Sequence, residues 1–231
     1  MIIGIMQPYF FPYIGYFQLI AQCDVFVLHD DVQYIKGGWI NRNRILMNHR
    51  AIWITFPVLR AAHHYPIKDR YFSSDPEDRN RLLRRIASAY RTAPLFGQVY
   101  PLIEDIMGFA CTNVASFNNN LIRRVAAHLK LRTRFVLSSN LPKDNTLTGR
   151  DRVIEICRCL GATHYVNPIG GRGLYDRDAF SRVGLELRFL EPVGLGAAVS
   201  GSPSFPLSII DDLMHRSEPA LADALKAYRF A

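Results

Sequence analysis

No apolar run in the 231-residue sequence approaches the roughly 18 residues that a membrane helix needs, so membrane insertion is not expected. Cysteine is scarce. The four present (Cys23, Cys111, Cys157, Cys159) are too few for a disulfide scaffold, and no two stand in a C-x-x-C spacing, so no structural metal is expected. Cys157 and Cys159 fall two apart in a helical pattern, where side chains diverge. Walker A, H-x-G-H, G-x-S-x-G and H-E-x-x-H motifs are all missing. Their absence argues against a P-loop ATPase, an elbow-type serine hydrolase and a zinc protease. The first residues, Met1 to Pro8, lack the basic segment and small-residue cleavage site of a secretory signal, so a reduced, cytoplasmic protein is expected. There is no internal repeat and no low-complexity linker.

What is present is the composition of a folded globular chain. Hydrophobic residues make up 49% and charged residues 21%, which excludes a mostly disordered polymer. The length suits one α/β domain over 1–231, with a helical insertion or subdomain at about 75–130. The formal charge is +8. Residues 121–152 carry Arg123, Arg124, Lys130, Arg132, Arg134, Lys143, Arg150 and Arg152 against only Asp144 and Asp151. A second basic stretch runs from Arg60 to Arg91, with Arg79, Arg81, Arg84 and Arg85 on one predicted helix. Such fields attract phosphates, nucleic acid or anionic surfaces; the alternative is an ordinary solvated helix face.

The pattern predicts a strand at Ile2–Met6, a helix over Tyr13–Gln22 and a second strand at Val25–Leu28. That spacing describes a parallel βαβ unit with a right-handed crossover. Trp53–Val58 is a further strand. Asp75-Pro76 caps a helix running to about Arg91. Residues 98–129 are helical with a break, and Phe135–Leu137 is a strand. Thr148-Gly-Arg-Asp151 fits a capping box before a helix over Val153–Leu160, which Gly161 stops. His164–Val166 and Leu185–Phe189 are strands, Ser200–Pro206 is a loop, and the chain is helical from Asp211 to near its end. The expected fold class is α/β: a mostly parallel, Rossmann-like sheet flanked by helices, with a helical middle section.

In such sheets ligands bind at the carboxyl ends of the strands. Those ends present Gln7, Tyr9 and Tyr13 after the first strand. His29, Asp30, Asp31, Gln33 and Tyr34 follow the second, Ser138 to Asn140 follow the 135–137 strand, and Asn167, Gly170 and Gly171 follow the 164–166 strand. In an extended chain His29 and Asp31 share a side and Asp30 faces away, so a carboxylate can orient the imidazole as a general base. The alternative is a turn in which an aspartate caps backbone. Lys36-Gly-Gly-Trp-Ile-Asn41-Arg42-Asn43-Arg44 offers cations for phosphate or carboxylate, and Trp39 for stacking. It reads equally as a hairpin turn with exposed arginines. Asn167 to Tyr175 is glycine-rich without being G-x-G-x-x-G, and is either a phosphate-cradling loop or a plain one.

Met6-Gln-Pro-Tyr-Phe-Phe-Pro-Tyr-Ile-Gly-Tyr-Phe-Gln-Leu-Ile20, Asp30-Asp-Val-Gln-Tyr-Ile-Lys36 and Asn41-Arg-Asn-Arg-Ile45 resemble the WbqC-like family. So do Gly161-Ala-Thr-His-Tyr165-Val-Asn-Pro-Ile-Gly-Gly171, Leu174-Tyr175 and Leu207-Ser-Ile-Ile-Asp211. The resemblance spans nearly the whole chain. It departs at Gly194–Ser204, where the family pattern has an aromatic, Gln-containing segment. Such proteins occur among genes for bacterial O-antigen and other surface polysaccharides. The resemblance therefore implies acyl or aminoacyl transfer to the amino group of a nucleotide-linked or lipid-linked sugar.

The catalytic candidates are His29, Asp30 and Asp31. Lys36, Arg42 and Arg44 are candidates for holding phosphates. Tyr9, Tyr13 and Tyr34 would line the pocket, and Gln7, Gln33, Asn41, Asn43, Tyr165, Asn167, Gly170, Gly171 and Tyr175 would make further substrate contacts. The acyl donor is an aminoacyl-tRNA, an acyl-CoA or an ATP-activated acid, and no cofactor is named by the sequence. The competing expectation is a nucleic-acid-binding, possibly tRNA-binding, module that uses the basic stretches without catalysis.

Overall fold

The computed structural model describes residues 1–194 and 206–231. The Ser200–Pro206 loop and the Gly194–Ser204 departure therefore lie outside the described residues, apart from Gly194 and Pro206 at their ends. In chain order the elements are β1 (Ile2–Met6), α1 (Ile14–Ala21), β2 (Val25–Leu28), β3 (Arg42–Met47), β4 (Arg50–Thr55), α2 (Pro76–Tyr90), α3 (Phe96–Met107), α4 (Val114–His128) and β5 (Arg134–Leu137). They continue with α5 (Gly149–Cys159), β6 (His164–Pro168), α6 (Arg177–Ser181), β7 (Glu186–Pro192), α7 (Ile209–His215), α8 (Glu218–Lys226) and β8 (Tyr228–Phe230).

Six strands form one sheet in the order β5-β2-β1-β6-β7-β8. All neighbours are parallel except β7–β8. The central strands are apolar runs because both of their faces are covered: all four residues of β2 are buried. One face packs Phe26, Leu28 and Val166 against α1, α4, α7 and α8. The other packs Ile3, Ile5, Val25, Val27 and Tyr165 against α5 and α6. The chain leaves β1 toward β2 and β5, then returns to the other side of β1 at β6. The strand order thus reverses between β1 and β6, and a crevice at such a point is where open α/β sheets take ligands.

Local signals explain most boundaries. Asp75 Oδ1 accepts the Glu77 N–H at 2.9 Å, and Pro76 sits where no intrahelical N–H is needed. The break expected in 98–129 falls between α3 and α4, where Asn113 caps the second helix through Ser116 N. Gly161 ends α5 at φ +68°, a left-handed conformation that favours glycine.

Three expectations need correction. Thr148 is the N-cap of α5 but makes no side-chain cap bond, and the helix already begins at Gly149. The strand expected at Trp53–Val58 is instead β4, Arg50–Thr55. It pairs antiparallel with β3 around Asn48-His49, both at positive φ as a mirror-image hairpin turn requires. The helix expected from Asp211 to near the end is split into α7 and α8 at Arg216-Ser217, and β8, three residues paired with β7, follows α8.

The loop after β1 is clamped from four directions. Tyr16 Oη donates to the Gln7 carbonyl (2.8 Å) and Asn118 Nδ2 to that of Pro8 (2.8 Å). Asn43 Nδ2 donates to the carbonyls of Phe10 (3.1 Å) and Phe11 (2.8 Å), Ser208 Oγ to that of Phe11 (2.9 Å), and Ile209 N to that of Pro12. Phe11 sits at φ +42°, a conformation costing a non-glycine residue about 1–3 kcal/mol. The clamps hold it there and fix the aromatic loop rigidly over the sheet edge.

Candidate functional site

Because β1, β2, β5 and β6 are parallel, their carboxyl ends share one edge. That edge carries Gln7, His29, Ser138 and Asn167. The side chains there divide into four groups.

The first group lies at the ends of β2 and β5. As alternation requires, His29 and Asp31 share a side, with Nε2 3.8 Å from Asp31 Oδ1. The other Asp31 oxygen receives Lys143 Nζ at 2.6 Å and Arg152 Nη2 at 2.7 Å. Lys143 also donates to the Ser138 carbonyl at 2.5 Å, and its side chain is only 1% exposed. Burial alone would raise the Asp31 carboxyl. Hydrogen bonding to Lys143, the neighbouring Ser138 hydroxyl and the charges of Arg152 and Lys143 outweigh it and hold the group at about 2. Burial lowers His29 to about 4, with Arg152 and Lys143 reinforcing and Asp31 opposing. The ring is therefore uncharged at neutral pH. Asp30 turns away, accepting both the N–H (2.9 Å) and the hydroxyl (2.6 Å) of Ser139; burial pushes its carboxyl up against those bonds. Four buried polar atoms gather here that make no hydrogen bond of good geometry among the described residues: His29 Nε2, Asp31 Oδ1, Ser138 Oγ, whose hydroxyl stands near the carboxylate, and Arg152 Nε. Leaving such an atom unpaired costs about 1–3 kcal/mol, so their concentration marks a place built to receive something polar.

The second group is a cavity of about 580 Å³ beside the hairpin, lined by Tyr34, Lys36, Asn41, Arg42, Thr55, Arg60 and Arg70 among others. Four cations and no carboxylate line it among the described residues. Arg70 is buried and fixed. It donates to the carbonyls of Ala62 (3.3 Å) and Leu59 (3.1 Å) and lies 4.7 Å above the Tyr34 ring. Tyr34 Oη in turn donates to Asn41 Oδ1 at 2.9 Å, and Asn41 Nδ2 to the Phe56 carbonyl at 3.0 Å. Asn41 therefore braces the wall rather than offering a free amide. Gln33 lies outside, bonded to His63.

The third is a smaller cavity of about 200 Å³ lined by Tyr9, Pro12, Tyr13, Trp39, Asn43 and Pro206. Burial raises the Tyr9 and Tyr13 phenols. The Asn43 amide is consumed by the clamp on the loop after β1. Arg44, expected to hold phosphate, stands over Trp39 at 5.4 Å and Trp53 at 5.6 Å.

The fourth, after β6, is self-contained. Tyr165 is buried in the core, stacked on Phe180 at 5.6 Å, so the expected substrate contact is a packing residue. Its hydroxyl donates to Asn167 Oδ1 at 2.9 Å, and Asn167 Nδ2 donates to the Pro168 carbonyl. Tyr175 packs edge-on against both Tyr165 and Phe180. Gly170 and Gly171 lie in a 3-10 turn, Ile169–Leu174. A Cβ on Gly171 would stand 1.9 Å from Asn167 Nδ2. That glycine is required by packing against the amide, which explains the sequence pattern without a phosphate.

In the sequence Lys143, Arg152, Arg60 and Arg70 stand only as parts of two basic stretches, not as site residues. Nothing in one-dimensional spacing shows that the first two converge on Asp31. Much of the remaining basic surface is paired within the chain: Arg81 with Asp78, Arg84 with Glu77, Arg124 with Asp105 and Lys130 with Glu218. No helix among the described residues is long and apolar enough to cross a membrane, and no metal-ligating cluster of His, Cys, Asp or Glu occurs among them.

A family model described as the WbqC-like protein family matches residues 7–223. A relative named "Uncharacterized protein Rv1507c" from Mycobacterium tuberculosis (strain ATCC 25618 / H37Rv) is 27% identical over 191 residues, which is 82% of this chain and 81% of the relative. No solved structure matches.

Proposed function

The chain belongs to the WbqC-like protein family, and from that premise we propose that it transfers an acyl or aminoacyl group to the amino group of a nucleotide-linked amino sugar in surface-polysaccharide synthesis. The observation that supports this reading is a pair of buried acceptors, His29 Nε2 and Asp31 Oδ1, 3.8 Å apart and without a well-formed hydrogen bond among the described residues. One primary amine can donate to both. Lys143 and Arg152 disfavour a third positive charge nearby, so the amine is held neutral and nucleophilic.

When the amine nitrogen bonds to the acyl carbon it becomes positively charged and strongly acidic. An uncharged imidazole of low basicity then suffices to take its proton. The bond from the acyl carbon to its donor breaks, and the proton passes from His29 to the leaving group. The cationic cavity is suited to the diphosphate, with Lys36, Arg42, Arg60 and Arg70 as its ligands. Tyr34, in that cavity's wall, is three residue steps from Asp31, at most about 10 Å of chain, a separation that one sugar and its diphosphate can bridge. The acyl donor remains one of three classes: aminoacyl-tRNA, acyl-CoA or ATP-activated acid.

The test incubates the protein with candidate nucleotide amino sugars, ATP and pools of amino acids or acyl-CoAs, and reads the sugar by mass spectrometry. An added acyl mass on the sugar, lost in His29→Ala, is expected. No mass change with any combination, including aminoacyl-tRNA, would overturn the reading.

A further inference from the structure

The cationic cavity and the aromatic cavity are joined by a stack of side chains. Arg42 lines the first, and its guanidinium lies 4.1 Å from the Trp53 ring. Trp53 lies 5.4 Å from Trp39, and Trp39 lines the second cavity. Arg42, Arg44 and Trp53 share one face of the β3–β4 hairpin by strand alternation. Asn43 points to the opposite face and ties the hairpin to the loop after β1. The aromatic cavity is rigid, because its loop carbonyls are clamped, and it lies over the end of β1, beside the point where strand order reverses.

We propose that the cavity lined by Tyr9, Tyr13 and Trp39 is the base subsite for a nucleoside diphosphate whose phosphates occupy the adjoining cationic cavity. This rests on the phosphate assignment made above and extends it. A planar base fits the lining better than a sugar ring. Among the described lining residues the polar side-chain groups are two phenols, the Trp39 indole N–H and the Asn43 amide, and that amide is already spent inside the protein. A polyhydroxylated ring would bury hydroxyls with few partners, whereas a base gains from stacking alone. No free amide among the described lining residues reads a base edge, so pyrimidine and purine diphosphates should both bind.

Trp39 and Trp53 are the two tryptophans of the chain, so selectively excited tryptophan emission reports on this stack. The experiment titrates the full chain with UDP, ADP, uridine and inorganic pyrophosphate, reading tryptophan emission and, by calorimetry, affinity. Either diphosphate nucleotide should quench emission and bind about tenfold or more tightly than pyrophosphate. Trp39→Leu should erase that advantage while leaving pyrophosphate binding intact, and Trp53→Phe should keep it. Should Trp39→Leu melt early, Tyr13→Leu serves the same purpose.

If pyrophosphate and both nucleotides bind equally, the base subsite is wrong while the phosphate cavity stands. If pyrophosphate and both nucleotides fail to bind, the phosphate assignment falls as well. A nucleotide advantage that survives both Trp39→Leu and Tyr13→Leu places the base elsewhere and overturns the proposal.

Discussion

The end of β2 and the end of β6 lie at the same edge of one sheet, and both carry polar residues that invite a functional reading. Their chemistry differs. After β6, Tyr165, Asn167 and the Pro168 carbonyl satisfy one another, and Gly171 closes against the amide. After β2, the buried Lys143 and the half-buried Arg152 share one carboxylate, and four polar atoms lack a well-formed hydrogen bond among the described residues. A sheet edge supplies candidates; whether their hydrogen bonds are already used inside the protein separates a brace from a site.

Removing Asp31 should break that comparison most severely. Asp31→Ala strands the buried Lys143 and leaves the half-buried Arg152 without its carboxylate, and a loss of about 3–5 kcal/mol in urea unfolding is expected. A change below 1 kcal/mol, about the ceiling for an exposed pair, would mean that the pair is solvated.

His29→Ala should lower kcat by about 10²- to 10⁴-fold with KM nearly unchanged, because the ring is assigned to proton transfer and not to phosphate binding. Equal turnover by a folded variant would remove its role. Asn167→Ala measured beside it should lose stability rather than catalytic rate.

Acid should distinguish the two ends as well. His29 falls from its ordinary 6.5 to about 4 on folding, so between those values the unfolded chain binds the extra proton. Stability from this residue is therefore full above about pH 6.5 and is lost as pH falls toward 4, a span of up to about 3 kcal/mol. Asp31 adds a second loss at lower pH, from its ordinary 3.8 toward about 2. His29→Phe should flatten the upper segment of the stability–pH curve; an unchanged slope would show that other groups cause it.

Gly171→Ala should have the smallest effect, about 1–3 kcal/mol of destabilisation as the Asn167 amide is displaced, with kcat of the folded fraction unchanged. A selective loss of catalysis would return the glycine turn to the site.

Much of the architecture was legible because it depends on short-range pattern. The runs Ile2–Met6 and Val25–Leu28 are apolar on both faces because both faces are buried, and Asp75-Pro76 and Gly161 mark helix ends through backbone chemistry of a few residues. β8 was not legible, since three residues become a strand only by pairing with β7. In the candidate site, His29 and Asp31 follow from alternation along an extended chain, and the cationic character of Lys36 and Arg42 from composition.

The sequence alone determined the parallel βαβ beginning, the helix ends and the polar character of the strand termini, because each is set by neighbours along the chain. Only the tertiary structure decided which polar groups are spent. Lys143 and Arg152 reach Asp31 across more than a hundred residues, while Asn43 and Asn167 give their amides to backbone carbonyls. Burial makes every unpaired polar atom costly, and pairing can be counted only once distant parts of the chain have met.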